Sequence, residues 1–419
     1  MEAIRTFWHT ALTDAAWLTQ ARARAYIRIL FALSAATVAG WIALSQGGLD
    51  LQHKPLGTDF LSFWAASKLA LAGHAAQVYD IARHAAAERS AFGGAEAGYS
   101  AFFYPPFYLL ICLPFALLPY LSSLAVWQAI TGYACWRVIR AILGASGKEL
   151  PLAMLAYPGV FTNLAHGQNA FLTTALFGAA ILSLERRPIL AGILFGSLAF
   201  KPQLGMMIPI ALAASNRRRS FIAAVFTVAA LAAATVAIFG VDAWRGFFAT
   251  SSLARIALEQ NWIGWEKMQS VFAAVRLLHG GIAFAYIGQS LGALAACTIL
   301  LLTISKRPGA EAEGALLVVA GMLSSPFLLD YDLMLLAIPL AWITRNALRF
   351  GWLSWEKIVV FAAFALPLVS RVLAAQAGIP IGPFVIFALL IVVARRARGL
   401  ACRPARPELN TVLQPASAP

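Results

Sequence analysis

Charge is what this sequence has least of. Charged residues make up 12% of 419, acids number only 18, and hydrophobic residues reach 61%. A soluble chain of this length would form two or three domains and need far more polar surface to cover them. Ten-residue segments of alternating hydrophobicity are also lacking, which excludes a membrane β-barrel. Cysteine is scarce: Cys112, Cys135, Cys297 and Cys402 show no metal or redox spacing, so neither a disulfide nor zinc is expected. The first apolar run lacks a small-x-small cleavage site and follows some twenty residues that include two acids, which reads as an uncleaved anchor.

What is present is a series of long apolar stretches, with a mean hydropathy of +0.75 over the chain. In lipid a backbone must satisfy its own polar groups, so such stretches become helices. Basic residues gather in short clusters between them: Arg22, Arg24 and Arg28; Arg137, Arg140 and Lys148; Arg186 and Arg187; Arg217, Arg218 and Arg219; Lys306 and Arg307; Arg345 and Arg349; Arg395, Arg396 and Arg398. Placing all of these in the cytoplasm puts the whole net charge of +14 on one side. The pI of about 10.1 therefore reports membrane orientation and not nucleic-acid binding.

The expected fold class is all-α and polytopic, with about twelve transmembrane helices and both termini cytoplasmic. The spans fall near 26–45, 121–143, 150–165, 168–184, 188–200, 203–215, 220–240, 283–304, 314–329, 331–343, 356–374 and 379–394. Several are short of the roughly 20 residues a straight crossing needs, and must be discontinuous or shielded by protein. This divides the chain into a cytoplasmic segment 1–25, a membrane domain 26–394 and a cytoplasmic tail 395–419.

The polar residues that orientation does not explain fall on the outer side. The first outer loop, 46–120, holds Gly57-Thr58-Asp59-Phe60. An amphipathic stretch over 61–90 follows and reads as helices in the interface plane. Next come Phe103-Tyr104-Pro105-Pro106-Phe107 and an apolar run to Pro119, read as a re-entrant or interfacial helix opened by prolines. Three short outer turns carry His166-Gly167-Gln168-Asn169, Lys201-Pro202-Gln203 and Asp330-Tyr331-Asp332. A lysine between two short apolar segments is costly unless it meets water, a partner or an anion, or snorkels to the headgroups. The histidine turn also fits a simple helix stop and restart. The second outer loop, 241–282, contains Trp262 and Trp265, which serve either as interfacial anchors or as sugar platforms.

The order Gly57-Thr58-Asp59-Phe60, Val78-Tyr79-Asp80, Phe103-Tyr104-Pro105-Pro106, Gly167-Gln168-Asn169, Lys201-Pro202-Gln203 and Ser325-Pro326 with Tyr331-Asp332 resembles glycosyltransferase family 87 of the GT-C superfamily. The resemblance spans roughly 55–345. It implies a hexosyltransferase, akin to bacterial mannosyltransferases, in the inner (plasma) membrane. The implied partners are a polyprenyl-phosphate sugar donor, a lipid or glycan acceptor and the bilayer itself, with no cofactor. In that family the acid of the first outer loop is catalytic, which maps to Asp59. Actinobacterial members carry histidines after the Ser-Pro, where this chain has Phe327-Leu328-Leu329-Asp330.

Chemistry supports such a reading independently. Nucleotide sugars are not expected outside the membrane, so the donor must be lipid-borne. Transfer then needs a carboxylate to take the acceptor proton and cationic or hydrogen-bonding groups for the departing phosphate. Asp59 fits the first role and Lys201 the second, with Gln168, Asn169, Gln203, Tyr104, Asp330 and Asp332 as substrate-binding residues. Asp59 also fits a plain helix N-cap. Asp330-x-Asp332 resembles the metal-binding pair of nucleotide-sugar transferases, yet a monophosphate donor needs no bridging metal, and none is expected. The rival class is a polytopic transporter or a flippase of a lipid-linked sugar.

Overall fold

The computed structural model describes residues 11–94, 98–144 and 150–401. Lys148 and Cys402, with parts of the terminal segments 1–25 and 395–419, lie outside the described residues. Regular structure within them is helical, and strand-like pairing is confined to isolated bridges such as Met268 with Leu329.

In chain order the first helices are α1 (Gln20–Ala43), α2 (Phe60–Leu71), α3 (Ile81–Arg89), α4 (Phe107–Cys112) and α5 (Tyr120–Leu143). There follow α6 (Leu150–Leu155), α7 (Pro158–His166), α8 (Ala170–Ser183), α9 (Pro188–Gly196), α10 (Pro202–Gly205) and α11 (Met207–Ala214). The last are α12 (Arg218–Phe239), α13 (Val241–Glu259), α14 (Val271–Leu277), α15 (Ile282–Ile304), α16 (Ala310–Ser324), α17 (Ala337–Phe350), α18 (Glu356–Ala377) and α19 (Gly382–Ala401). A 3-10 turn, Asp330–Leu336, leads into α17.

Five stretches are long and apolar enough to cross a membrane: α1, α12, α15, the continuous run Asp330–Phe350, and α18. Large apolar side chains stand exposed on α12 (Val225, Phe226) and α15 (Phe284, Leu291, Leu294), as lipid-facing helices require. Of the shorter expected spans, 150–165 and 203–215 appear as broken helices and 188–200 ends in a 3-10 turn, whereas 168–184 and 314–329 are continuous as α8 and α16; proline sets where several of these helices begin. Pro158, Pro188 and Pro202 open α7, α9 and α10, where a missing N–H costs nothing, and each forbids continuation of the preceding helix.

With no water to expel between helices in lipid, association rests on close packing. Gly192 and Gly196, four apart on α9, let its backbone touch α12. A Cβ on Gly192 would sit 2.3 Å from the Ser220 carbonyl oxygen, and one on Gly196 2.8 Å from that of Ala224. The centre of the bundle is α16, buried from Ala312 through Ser324.

Ion pairs lock one end of the bundle. Arg217 bonds Glu313 at 2.8 Å, Arg345 pairs with Glu311 and donates to the Ile142 carbonyl, and Arg396 forks onto Glu356. The opposite end carries the first loop and the turns at 166–169, 201–203 and 330–332. Over 46–120 the structure differs from a pair of surface helices. α3 shows one buried face (His84, Ala87, Glu88), but α2 is buried from Phe60 to Ser67. The reason is aromatic: Phe60 contacts Phe63, Phe115, Tyr120 and Trp127, so the start of α2 is a core element. The run to Pro119 forms two short pieces, α4 and a 3-10 turn Phe115–Leu117.

Candidate functional site

Two glycines bring the first loop onto the 166–169 turn. Gly167 ends α7 in the left-handed conformation (φ +66), and a Cβ there would lie 2.7 Å from the Phe60 Cβ and 3.0 Å from the Gly57 Cα. Gly57 also has positive φ (+71), and a Cβ on it would collide with Leu124 at 2.7 Å. The contact is pinned by the Asp59 amide, which donates to the His166 carbonyl at 2.9 Å. The Tyr120 hydroxyl reaches the carbonyls of Leu56 (2.7 Å) and Gly57 (2.9 Å). Trp127 Nε1 donates to the Gly167 carbonyl at 3.2 Å.

This frame decides what the Asp59 side chain does. Asp59 occupies the N-cap position of α2, yet its carboxylate makes no capping hydrogen bond. It turns instead to the site. Gln168 Nε2 donates to Oδ2 at 3.1 Å, and Thr58 Oγ1 donates to Oδ1 at 3.3 Å. His166 Nδ1 stands 3.8 Å from Oδ2, and Asp59 stays 26% exposed. The Gln168 amide is fixed from its other side: its Oε1 accepts from the Tyr104 hydroxyl (3.2 Å) and the Asn169 amide (2.7 Å). The amide thus has one orientation, N–H toward the carboxylate, and Asp59 keeps oxygen lone pairs for another donor.

A second charged layer adjoins the first. Lys201 Nζ meets Asp332 Oδ1 at 2.6 Å with both side chains 2% exposed, and the ammonium lies 5.1 Å from the centre of the Tyr331 ring. Lys201 is thus turned to a carboxylate and does not stand open. Tyr331 connects the layers, its ring centre 5.9 Å from that of His166. Asp330 accepts the Tyr331 amide at 2.9 Å and lies 3.4 Å from an Arg371 Nη of α18.

Tyr104, Gln168, Asp59, Asp330, Asp332 and Lys201 are therefore brought together. Asn169 is adjacent and wholly buried, its side-chain amide beside the Tyr104 and Tyr108 hydroxyls. Gln203 is half-buried in the first turn of α10 and joins no hydrogen bond among the described residues. In the second loop Trp262 is exposed, whereas Trp265 is held by the Leu258 carbonyl and stacked under Arg276 at 4.5 Å. Asp330 and Asp332 each face a different cation, and no cluster of three His, Cys, Asp or Glu side chains able to hold a metal forms among the described residues. Two residues escaped the sequence reading as site members. His166 was visible in its turn without an assigned partner, and Arg371 was a lone cation in an apolar run.

Membrane-crossing helices with a hydrogen-bonded carboxylate, a neighbouring imidazole and paired cations at one end of the bundle are the build of a membrane-embedded enzyme. Comparison with protein families gives the particular one. Residues 102–329, just over half of the chain, match glycosyltransferase family 87, and the chain belongs to that family. No curated protein and no solved structure matches it. The match takes in Tyr104, His166, Gln168, Asn169, Lys201 and Gln203, while Asp59, Asp330, Asp332 and Arg371 lie outside it; Asp59 meets it at His166 and Gln168, and Asp332 at Lys201.

Proposed function

We propose that this glycosyltransferase moves a hexose, mannose favoured, from a polyprenyl-phosphate donor to a hydroxyl of a lipid or glycan acceptor. The reaction takes place on the outer face of a bacterial plasma membrane, with the chain crossing about twelve times and both termini inside. The observation that carries this reading is Asp59: an N-cap residue whose carboxylate caps nothing, is aimed by an amide of fixed orientation and remains partly open. In the reaction the acceptor oxygen bonds to the anomeric carbon as the bond from that carbon to the phosphate oxygen breaks. The electron pair leaves with the polyprenyl phosphate, and the hydroxyl proton passes to Asp59. Gln168 and His166 position the base. Asn169, buried beside the Tyr104 and Tyr108 hydroxyls, holds those groups toward the sugar. Lys201 with Asp332, and Asp330, form the floor beside the phosphate. No metal enters, because a single phosphate needs no bridging cation and both aspartates are already matched to side-chain cations.

The test is consumption of labelled polyprenyl-phosphate mannose by purified protein in detergent, with lipid extract as acceptor. A transferase yields labelled glycolipid and free polyprenyl phosphate. Donor that binds without being consumed would contradict the transferase and favour the transporter or flippase.

A further inference from the structure

We propose that Arg371 binds the phosphate of the lipid-borne donor; this rests on the transferase reading above. An arginine inside α18, whose apolar window has a mean hydropathy of 2.2, is costly in lipid unless it serves a partner. The one carboxylate it meets among the described residues is Asp330, through a single 3.4 Å contact, with the Arg371 side chain 43% exposed. The arginines at the opposite end are spent differently. Arg396 forks onto Glu356 and also bonds the Gly351 carbonyl, with 3% exposure. Lys201, the other cation of the site, is closed on Asp332. Arg371 therefore holds unspent N–H donors in a planar fork that matches two phosphate oxygens.

Its place on the helix fits a lipid-borne ligand. The buried stripe of α18 runs through Ala363, Leu366, Ser370 and Ala374, and the exposed apolar stripe through Phe361, Leu368 and Val372. Arg371 lies on the flank between them, one side toward Asp330 and the other toward the face that Leu368 and Val372 present outward. A phosphate on a polyprenyl tail arrives from that apolar face, whereas a soluble anion has no reason to. The phosphate also gains a negative charge when the sugar leaves, and a guanidinium fork stabilises that product state.

The experiment measures donor and acceptor KM for Arg371→Gln, Arg371→Lys, Asp330→Asn and the double variant Arg371→Gln/Asp330→Asn, with undecaprenyl phosphate in mixed micelles and inorganic phosphate as competitors. Arg371→Gln should raise the donor KM about 10- to 100-fold, the scale of a lost hydrogen bond to a charged group, and leave the acceptor KM alone. Arg371→Lys keeps charge without the fork and should fall between. In wild type, undecaprenyl phosphate should compete with donor and inorganic phosphate should not. The double variant removes the objection that Asp330 is merely left unpaired. If it restores donor KM while Asp330→Asn alone leaves donor KM unchanged, Arg371 only neutralises Asp330 and the inference is wrong. An unchanged donor KM in Arg371→Gln overturns it as well, with the transferase reading intact because donor is still consumed. Equal competition by inorganic phosphate contradicts a lipid-borne ligand. A wild-type protein that consumes no donor fails the transferase reading itself.

Discussion

Removing either member of the Lys201–Asp332 pair should destabilise the protein far more than removing both. At 2.6 Å the pair attracts by about 6 kcal/mol at an effective dielectric of about 20. Burying each ion costs several kcal/mol, so the intact pair contributes little net stability. A single neutralisation forfeits the attraction and keeps one desolvation penalty, at a cost of about 3–5 kcal/mol. Lys201→Met and Asp332→Asn should each lose that much, whereas the double variant should lie within about 1–2 kcal/mol of wild type. Asn still accepts the Leu329 amide that Asp332 Oδ2 accepts at 3.3 Å, so the double variant strands no backbone donor. Unfolding of detergent-solubilised protein followed through a double-mutant cycle reads the coupling directly. Single variants within about 0.5 kcal/mol of wild type, with an additive double, would refute the buried pair. Turnover in the double variant decides the role of the ammonium. Recovery makes it structural, and persistent loss returns it to the donor phosphate.

The first loop should carry a pH dependence of its own. Burial pushes the Glu88 carboxyl up to about 8 and pulls the His84 imidazole down to about 4, from ordinary values of 4.5 and 6.5. Between pH 4.5 and 6.5 the two effects offset. Above 6.5 only Glu88 holds its proton more tightly folded than unfolded, so about 2 kcal/mol is lost as pH rises to about 8. Glu88→Gln should flatten that limb of a Tm–pH profile in detergent, and an unchanged limb would place its origin elsewhere. For orientation, single cysteines at the exposed positions His74 and Trp262 should react with an impermeant maleimide in intact cells lacking native thiols. Cysteines at Arg186 and Lys306 should react only after lysis, and the reverse pattern inverts the topology. EDTA should leave turnover unchanged; loss restored by Mg²⁺ or Mn²⁺ would make Asp330 and Asp332 metal ligands.

Element boundaries were legible because their causes are local. A proline at position N1, a glycine in the left-handed conformation and an apolar run of membrane length all act within a few residues. Hence α1, α5, α12 and α15 fall within a few residues of the expected spans 26–45, 121–143, 220–240 and 283–304. The burial of α2 was not legible, since polar residues in 61–90 suggested a surface helix while the partners of Phe60 lie far along the chain. Pairing was hidden for the same reason. Lys201 and Asp332 are 131 residues apart, and Arg371 lies 41 beyond Asp330, so nothing local distinguishes an open lysine from a closed one. For Asp59, the residue before an apolar stretch reads as base or as cap. The direction of the carboxylate, toward Gln168 with no hydrogen bond to the α2 amides, speaks against the cap and could not be read from the sequence.

Whether Asp59 takes the acceptor proton is decided by Asp59→Asn, assayed for turnover and donor binding on the same preparation. Asn preserves size and caps helices about as well as Asp, so a residue that merely capped α2 would tolerate the change. It can still accept a hydrogen bond from Gln168 but cannot take a proton. A general base at Asp59 predicts a folded variant that binds polyprenyl-phosphate sugar normally and turns over about 10²–10⁴ times more slowly. Near wild-type turnover would contradict that role and move the search for the base to Asp80, Asp330 or Asp332.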